Sequence, residues 1–388
     1  MATDWRVRLG IVLGLAGAAA LVAVPRRPPA PSVPAHGPLL SDCDGALEEL
    51  VVHWVPEAAG IAEVAYRQFL GQLPPQTTVH VVCPDRAAFA DLRSRLGPLS
   101  CRLVPVCTGH PITCWSRDRW LALAPAEGGP AVLLAPASEE GAAVWPQRAG
   151  DARVAAALAA AQPRRVAWAR SGLDFDGGDF VADARTAFVT PDVLRRNLGR
   201  AVASPAELRD GLAAVLGRRV VLLERAPPHH AGMFLMLAGE GRAVVGDPAM
   251  ARRLLEAVAR SRGRPAGCPL AEPDFSASTQ RLFDAVARPC AEHGYRVSRI
   301  PVVPGRDERT YLTYLNAILD QRGGRRTVYM PVYAGAECLN DAAAATWQSL
   351  GYAVRRVDCS AAYAHYGSLR CLVNVLRRSQ PGGAPLAR

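Results

Sequence analysis

The sequence predicts one α/β domain in which a unit of helix, strand, polar loop and hairpin recurs around a shared centre. Two observations carry this. Segments with helical apolar periodicity lead into short apolar strands, and each such pair is followed by a polar motif and a hairpin with a glycine-rich or polar turn. A third sets the scale: 388 residues at 50% apolar and 21% charged suffice for a sizeable core.

The elements follow in chain order. A strand at 77–83 precedes a helix at 85–96. Ser204 and Glu207 form a capping box that opens a helix running to Leu216, with a strand at 218–224 behind it. A helix at 340–350 leads to a strand at 353–358. Hairpins follow Asp118, with a turn at Glu127-Gly128-Gly129; Asp179, with a turn around Asp183; His230, with a turn at Gly239-Glu240-Gly241; and Thr313, with a turn at Arg322-Gly323-Gly324. Radial or stacked repetition brings the polar motifs to the common centre. An open α/β sandwich is the competing arrangement. A dinucleotide fold is disfavoured, because no GxGxxG loop joins a strand to a helix.

Ahead of this domain, Arg6 and Arg8 precede an apolar run from 9 to 24 that reads as a signal peptide or a membrane anchor; a buried N-terminal helix is the alternative. Arginines on both sides leave its orientation open. Six prolines within 25–38 predict an extended linker. The expected domain spans 39–378 and a flexible tail 379–388. An exported or envelope-anchored bacterial protein is the expected setting, with membrane contact through the leader.

The net charge of +10 rests almost wholly on arginine, and no basic run is interleaved with aromatics, so nucleic acid is not an expected partner. Ten cysteines include no CxxC pair with zinc-site spacing, so no metal is expected; in an exported protein some can pair as disulfides.

Trp115-Ser116-Arg117-Asp118, Asp176-Gly177-Gly178-Asp179, His230 before Met233-Phe234, Tyr314-Leu315-Asn316 and Gly367-Ser368-Leu369-Arg370-Cys371 occur in an order and spacing that resemble the agmatine deiminase and Porphyromonas-type peptidylarginine deiminase family. The resemblance implies a pseudo-five-fold α/β propeller of the pentein type and chemistry on a guanidino group. It implies Cys371 as nucleophile, His230 as general acid and base, and Asp118 as a carboxylate gripping the guanidinium. Trp115, Arg117, Asp176, Asp179 and Asn316 complete the implied substrate-binding set, and no cofactor is required. The implied partner is a small guanidino compound or peptidyl-arginine, and export favours the peptide or an external compound. A ligand-binding protein on the same fold and an amidinotransferase are the alternatives.

The chemistry suits these residue types. A guanidinium carbon is a poor electrophile, so attack needs a thiolate held against it and carboxylates that fix the planar group by paired hydrogen bonds. One departure stands out: where the family has an aspartate two positions after the histidine, this chain has Gly232. Each motif also has a structural reading. Cys371 suits a buried small hydrophobe, Asp118 half of an ion pair, and Asp176 and Asp179 turn residues beside two glycines.

Overall fold

The computed structural model describes residues 33–138, 147–262 and 268–379. The apolar leader, most of the proline-rich linker and residues 380–388 lie outside the described residues. Among the described residues no helix is long and apolar enough to cross a membrane.

The described strands form five small sheets. Leu121–Pro125 and Ala131–Ala135 make an antiparallel hairpin, the chain crosses over through helix, and Val166–Arg170 returns parallel to the second strand. The same plan recurs in Phe180–Ala182, Thr186–Val189 and Arg219–Leu222, and in Leu235–Leu237, Arg242–Asp247 and Arg296–Pro304. It recurs again in Ile318–Arg322, Arg325–Val332 and Ala353–Asp358. A parallel return needs a crossover, and the helix that supplies it also covers the sheet.

The fifth sheet closes the molecule. Val373–Arg378 pairs antiparallel with Leu47–His53, which pairs parallel with Thr78–Cys83, so the hairpin partner comes from the far end of the chain. The predicted elements stand within a few residues of their expected bounds. Asp85 caps Arg86–Leu96 by accepting the Ala88 N–H at 2.8 Å, and Ser204 caps Pro205–Leu216 through the Glu207 N–H at 3.1 Å. Gly323 and Gly324, both at positive φ, make the two-residue turn between Arg322 and Arg325.

One boundary differs. His36, Gly37 and Pro38, assigned to the proline-rich linker, belong with Leu39 to a strand, His36–Leu39, on the edge of the first sheet beside Leu121–Pro125. An edge strand bonds on one side only, so Pro38 is tolerated there. None of the cysteines is in a disulfide.

In each sheet, a polar loop leads into the strand that starts the hairpin, and the five loops touch in sequence. The Arg117 N–H donates to the Cys371 carbonyl at 3.2 Å, and the Gly177 N–H to the Asp118 carbonyl at 2.6 Å. A Cβ on Gly178 would come within 2.4 Å of the His230 ring. Thr313 Oγ1 donates to the Met233 carbonyl at 2.8 Å, and the Arg370 N–H to the Asn316 carbonyl at 3.0 Å. The last contact leads back to Cys371, which makes a closed ring of five.

Candidate active site

Trp115, Asp118, Asp176, His230 and Cys371 line one cavity of ≈ 450 Å³ at this ring, together with Arg148, Arg196, Arg309 and Gly367. Cys371 sits in the short helix Leu369–Leu372, just ahead of the closing strand. Asn316 holds it from behind: Asn316 Oδ1 accepts the Cys371 N–H at 3.2 Å and lies 3.5 Å from Sγ. Tyr333, buried beneath, shares a hydrogen bond of 3.1 Å with Ser368 Oγ and so fixes the start of the same turn.

His230 stands between two carboxylates. Its Nδ1 is 3.9 Å from Asp118 Oδ1 and its Nε2 is 3.8 Å from Asp176 Oδ2. Burial works against the imidazolium, but Asp118, Asp176 and the neighbouring Cys371 outweigh it and hold the His230 pKa well above the ordinary imidazole range. Asp118 Oδ1 and His230 Nδ1 are both buried without a hydrogen-bond partner. An unsatisfied buried polar group costs about 1–3 kcal/mol, so two of them, 3.9 Å apart on residues that line one cavity, mark a place where a ligand donor or acceptor gains the most.

Asp176 is heavily used. Its Oδ1 accepts from Arg119 Nη1 at 3.0 Å and Arg148 Nη2 at 2.8 Å, and its Oδ2 from Arg196 Nη1 at 3.3 Å. Burial alone would raise its pKa; the His230 and arginine contacts more than reverse this and hold it well below the carboxylate range. Gly177 and Gly178 are glycines for want of space: a Cβ on Gly177 would lie 2.3 Å from the Arg117 carbonyl oxygen, and one on Gly178 would strike the imidazole.

Three residues of the expected substrate-binding set do not reach the cavity. Asp179 is fully buried, and its oxygens accept from Thr190 Oγ1 at 3.0 Å, Arg196 Nη2 at 2.7 Å and the Asp176 N–H at 2.9 Å, so it braces the loop that carries Asp176. Arg117 turns inward, donating to Asn374 Oδ1 at 2.8 Å and lying 3.9 Å from Asp42. Asn316 contacts the nucleophile candidate from its buried side.

Sequence reading missed Arg148. It lies in the helix Gln147–Asp151, outside every motif, and its guanidinium donates to Asp118 Oδ2 at 2.6 Å and to Asp176 Oδ1 at 2.8 Å. Gly232 faces neither Asp118 nor open space. A Cβ there would meet Asn316 Nδ2 at 3.0 Å and Arg370 Nη1 at 3.1 Å, and Arg370 is itself buried and paired with Asp42 at 2.8 Å.

No family model matches the chain, and no curated protein sequence matches it. Solved structures do. A cysteine-to-serine variant of the Campylobacter jejuni agmatine deiminase, with substrate bound, superimposes with a TM-score of 0.64 over 87% of this chain and 95% of that one, at 12% identity. The agmatine deiminase of Enterococcus faecalis gives 0.59 over 89% and 95%, at 13% identity. A Porphyromonas gingivalis protein described as an arginine deiminase gives 0.65 over 87% and 97%, at 18% identity. The chain therefore has the fold of the guanidine-modifying deiminases, a ring of five α/β units. At these identities the likeness establishes that shared fold.

Proposed function

We propose that this protein is a deiminase-type hydrolase acting on a guanidino group. The observation that carries the reading is the buried, unsatisfied pair of Asp118 Oδ1 and His230 Nδ1 in the cavity that Cys371 lines. Cys371, as its thiolate, attacks the guanidinium carbon and forms a C–S bond. His230, protonated in the resting site, gives its proton to the departing nitrogen as the C–N bond breaks and ammonia leaves. His230, now neutral, takes a proton from water, which attacks the thiouronium carbon; the C–S bond breaks and a ureido product is released. Asp118 orients the planar cation through its free oxygen, and Trp115 forms part of the wall.

Assays with agmatine, free arginine and peptidyl-arginine test this reading. The expected result is ammonia and a ureido product from at least one of them, abolished by Cys371→Ala. Equal turnover by that variant removes Cys371 from the mechanism.

Gly232 favours a second reading, a guanidino-binding protein without turnover. Where the resemblance places a second carboxylate there is only a glycine Cα, packed against Asn316 and Arg370. Under that reading a ligand raises the melting temperature and none of the three compounds is consumed.

A further inference from the structure

Within the cavity, one cation already holds both carboxylates. Arg148 spans Asp118 and Asp176 with two separate hydrogen bonds, 2.6 and 2.8 Å long, the paired arrangement that a planar guanidinium makes with acid groups. Its side chain is 14% exposed, so the pair is well shielded from water. Burial opposes the charge on Arg148, yet Asp118 and Asp176 outweigh it and push its pKa up.

The position of Arg148 is built rather than incidental. In the same short helix, Asp151 accepts the Thr113 N–H at 2.8 Å and the Thr113 hydroxyl at 2.5 Å, which ties the helix to the loop that carries Trp115 and Asp118. Gly150 packs so closely on the Pro111 carbonyl that a Cβ would lie 1.9 Å from its oxygen. The helix therefore sits flush against that loop, with Arg148 directed at Asp118.

We propose that Arg148 is a specificity-determining residue: a resident guanidinium that competes with the ligand's guanidinium for Asp118 and Asp176 and sets the affinity for cationic ligands. The inference rests on the reading that the cavity takes a guanidino group. A ligand cation has two ways in. It displaces Arg148 and takes both carboxylates, or it shares Asp118, binding Oδ1 while Arg148 keeps Oδ2. Either way Arg148 lowers the net negative charge a cation meets, so small guanidinium compounds bind weakly unless the rest of the molecule adds contacts.

Binding of methylguanidinium, measured by calorimetry in a Cys371→Ser background, tests this without turnover. Arg148→Gln removes the charge and leaves Asp151 and Gly150 to anchor the helix; it is expected to bind the cation at least 10-fold tighter. Arg148→Lys keeps the charge without the two-pronged fork and is expected to fall between, and it carries the test if the glutamine variant does not fold. Methylguanidinium should also raise the melting temperature of Arg148→Gln more than that of its parent. Unchanged or weaker binding in both variants overturns the proposal. Tighter binding with no turnover by the unmodified protein leaves it standing and removes the deiminase reading, whereas turnover with no gain in affinity removes this proposal alone.

Discussion

Gly178 and Gly232 show how much of this site is decided by the absence of a side chain. Gly178 lies under the His230 ring, and a Cβ there would come within 2.4 Å of two ring atoms. Gly178→Ala is therefore expected to keep the fold and displace the imidazole; a shift near 1 Å costs on the order of 10²-fold in rate, readable as a fall in kcat with the melting temperature little changed. Gly232→Asp, which on the resemblance alone restores the second clasp, is expected to fail. Its carboxylate would emerge beside Arg370 Nη1 and Asn316 Nδ2 and be captured by them rather than offered to a substrate, so ammonia release should not rise. A gain in turnover would show that Arg370 yields. Cys371, His230, Asp118, Asp176 and Trp115 were legible because each sits in a short motif with a chemical reason for its residue type. Arg148 was not: it belongs to no motif, and its role exists only once the helix Gln147–Asp151 folds back over the Asp118 loop.

At the scale of elements, the connection between Gln147–Asp151 and the Asp118 loop hangs on Asp151. Burial is the main cause that raises its carboxyl from the ordinary 3.8 to about 7, against the pull of two hydrogen bonds from Thr113. The sign follows from linkage. The folded protein holds this proton between about pH 4 and 7 while the unfolded chain releases it, so the contribution is complete below the unfolded pKa and fades as pH rises toward 7. A shift of that size corresponds to a few kcal/mol. Asp151→Asn, whose amide can still accept from the Thr113 N–H, should flatten the fall in melting temperature across this window; an unchanged slope would place the titration elsewhere. Legibility at this scale tracks local signals. Helices at Arg86–Leu96 and Pro205–Leu216 announce themselves through Asp85 and Ser204. The turn of helix at Leu369–Leu372 lacks such a cap and forms because the Asn316 carbonyl and side chain accept the Arg370 and Cys371 N–H groups from a distant part of the chain. Most of His36–Leu39 was hidden within the proline-rich linker, since only pairing with Leu121–Pro125 makes it a strand.

Across the whole molecule, the ring closes through a single strand pair, Val373 to Arg378 against Leu47 to His53. Arg378 reinforces it, donating to the Gly45 carbonyl at 3.0 Å and the Leu319 carbonyl at 2.9 Å, which joins three distant parts of the chain. Truncation after Leu372 removes this strand, uncovers an edge of the fifth sheet and leaves the Cys371 loop unanchored. Loss of the cooperative thermal transition is expected; a truncated chain melting as the full one does would mean that closure is dispensable. The repeated unit was legible in outline, because periodicity and turns are local. That the parallel strand after each helix belongs to the preceding hairpin, and that the last strand completes the fifth sheet against Leu47–His53, depends on pairings between distant residues. The proposed function requires this closed ring to hold Cys371 for a covalent reaction. Acid quenching during turnover, followed by mass spectrometry of the peptide bearing Cys371, tests it most directly. The expected result is an adduct of the substrate less ammonia on Cys371, absent in Cys371→Ser; turnover with no adduct, undiminished in that variant, would overturn the covalent mechanism.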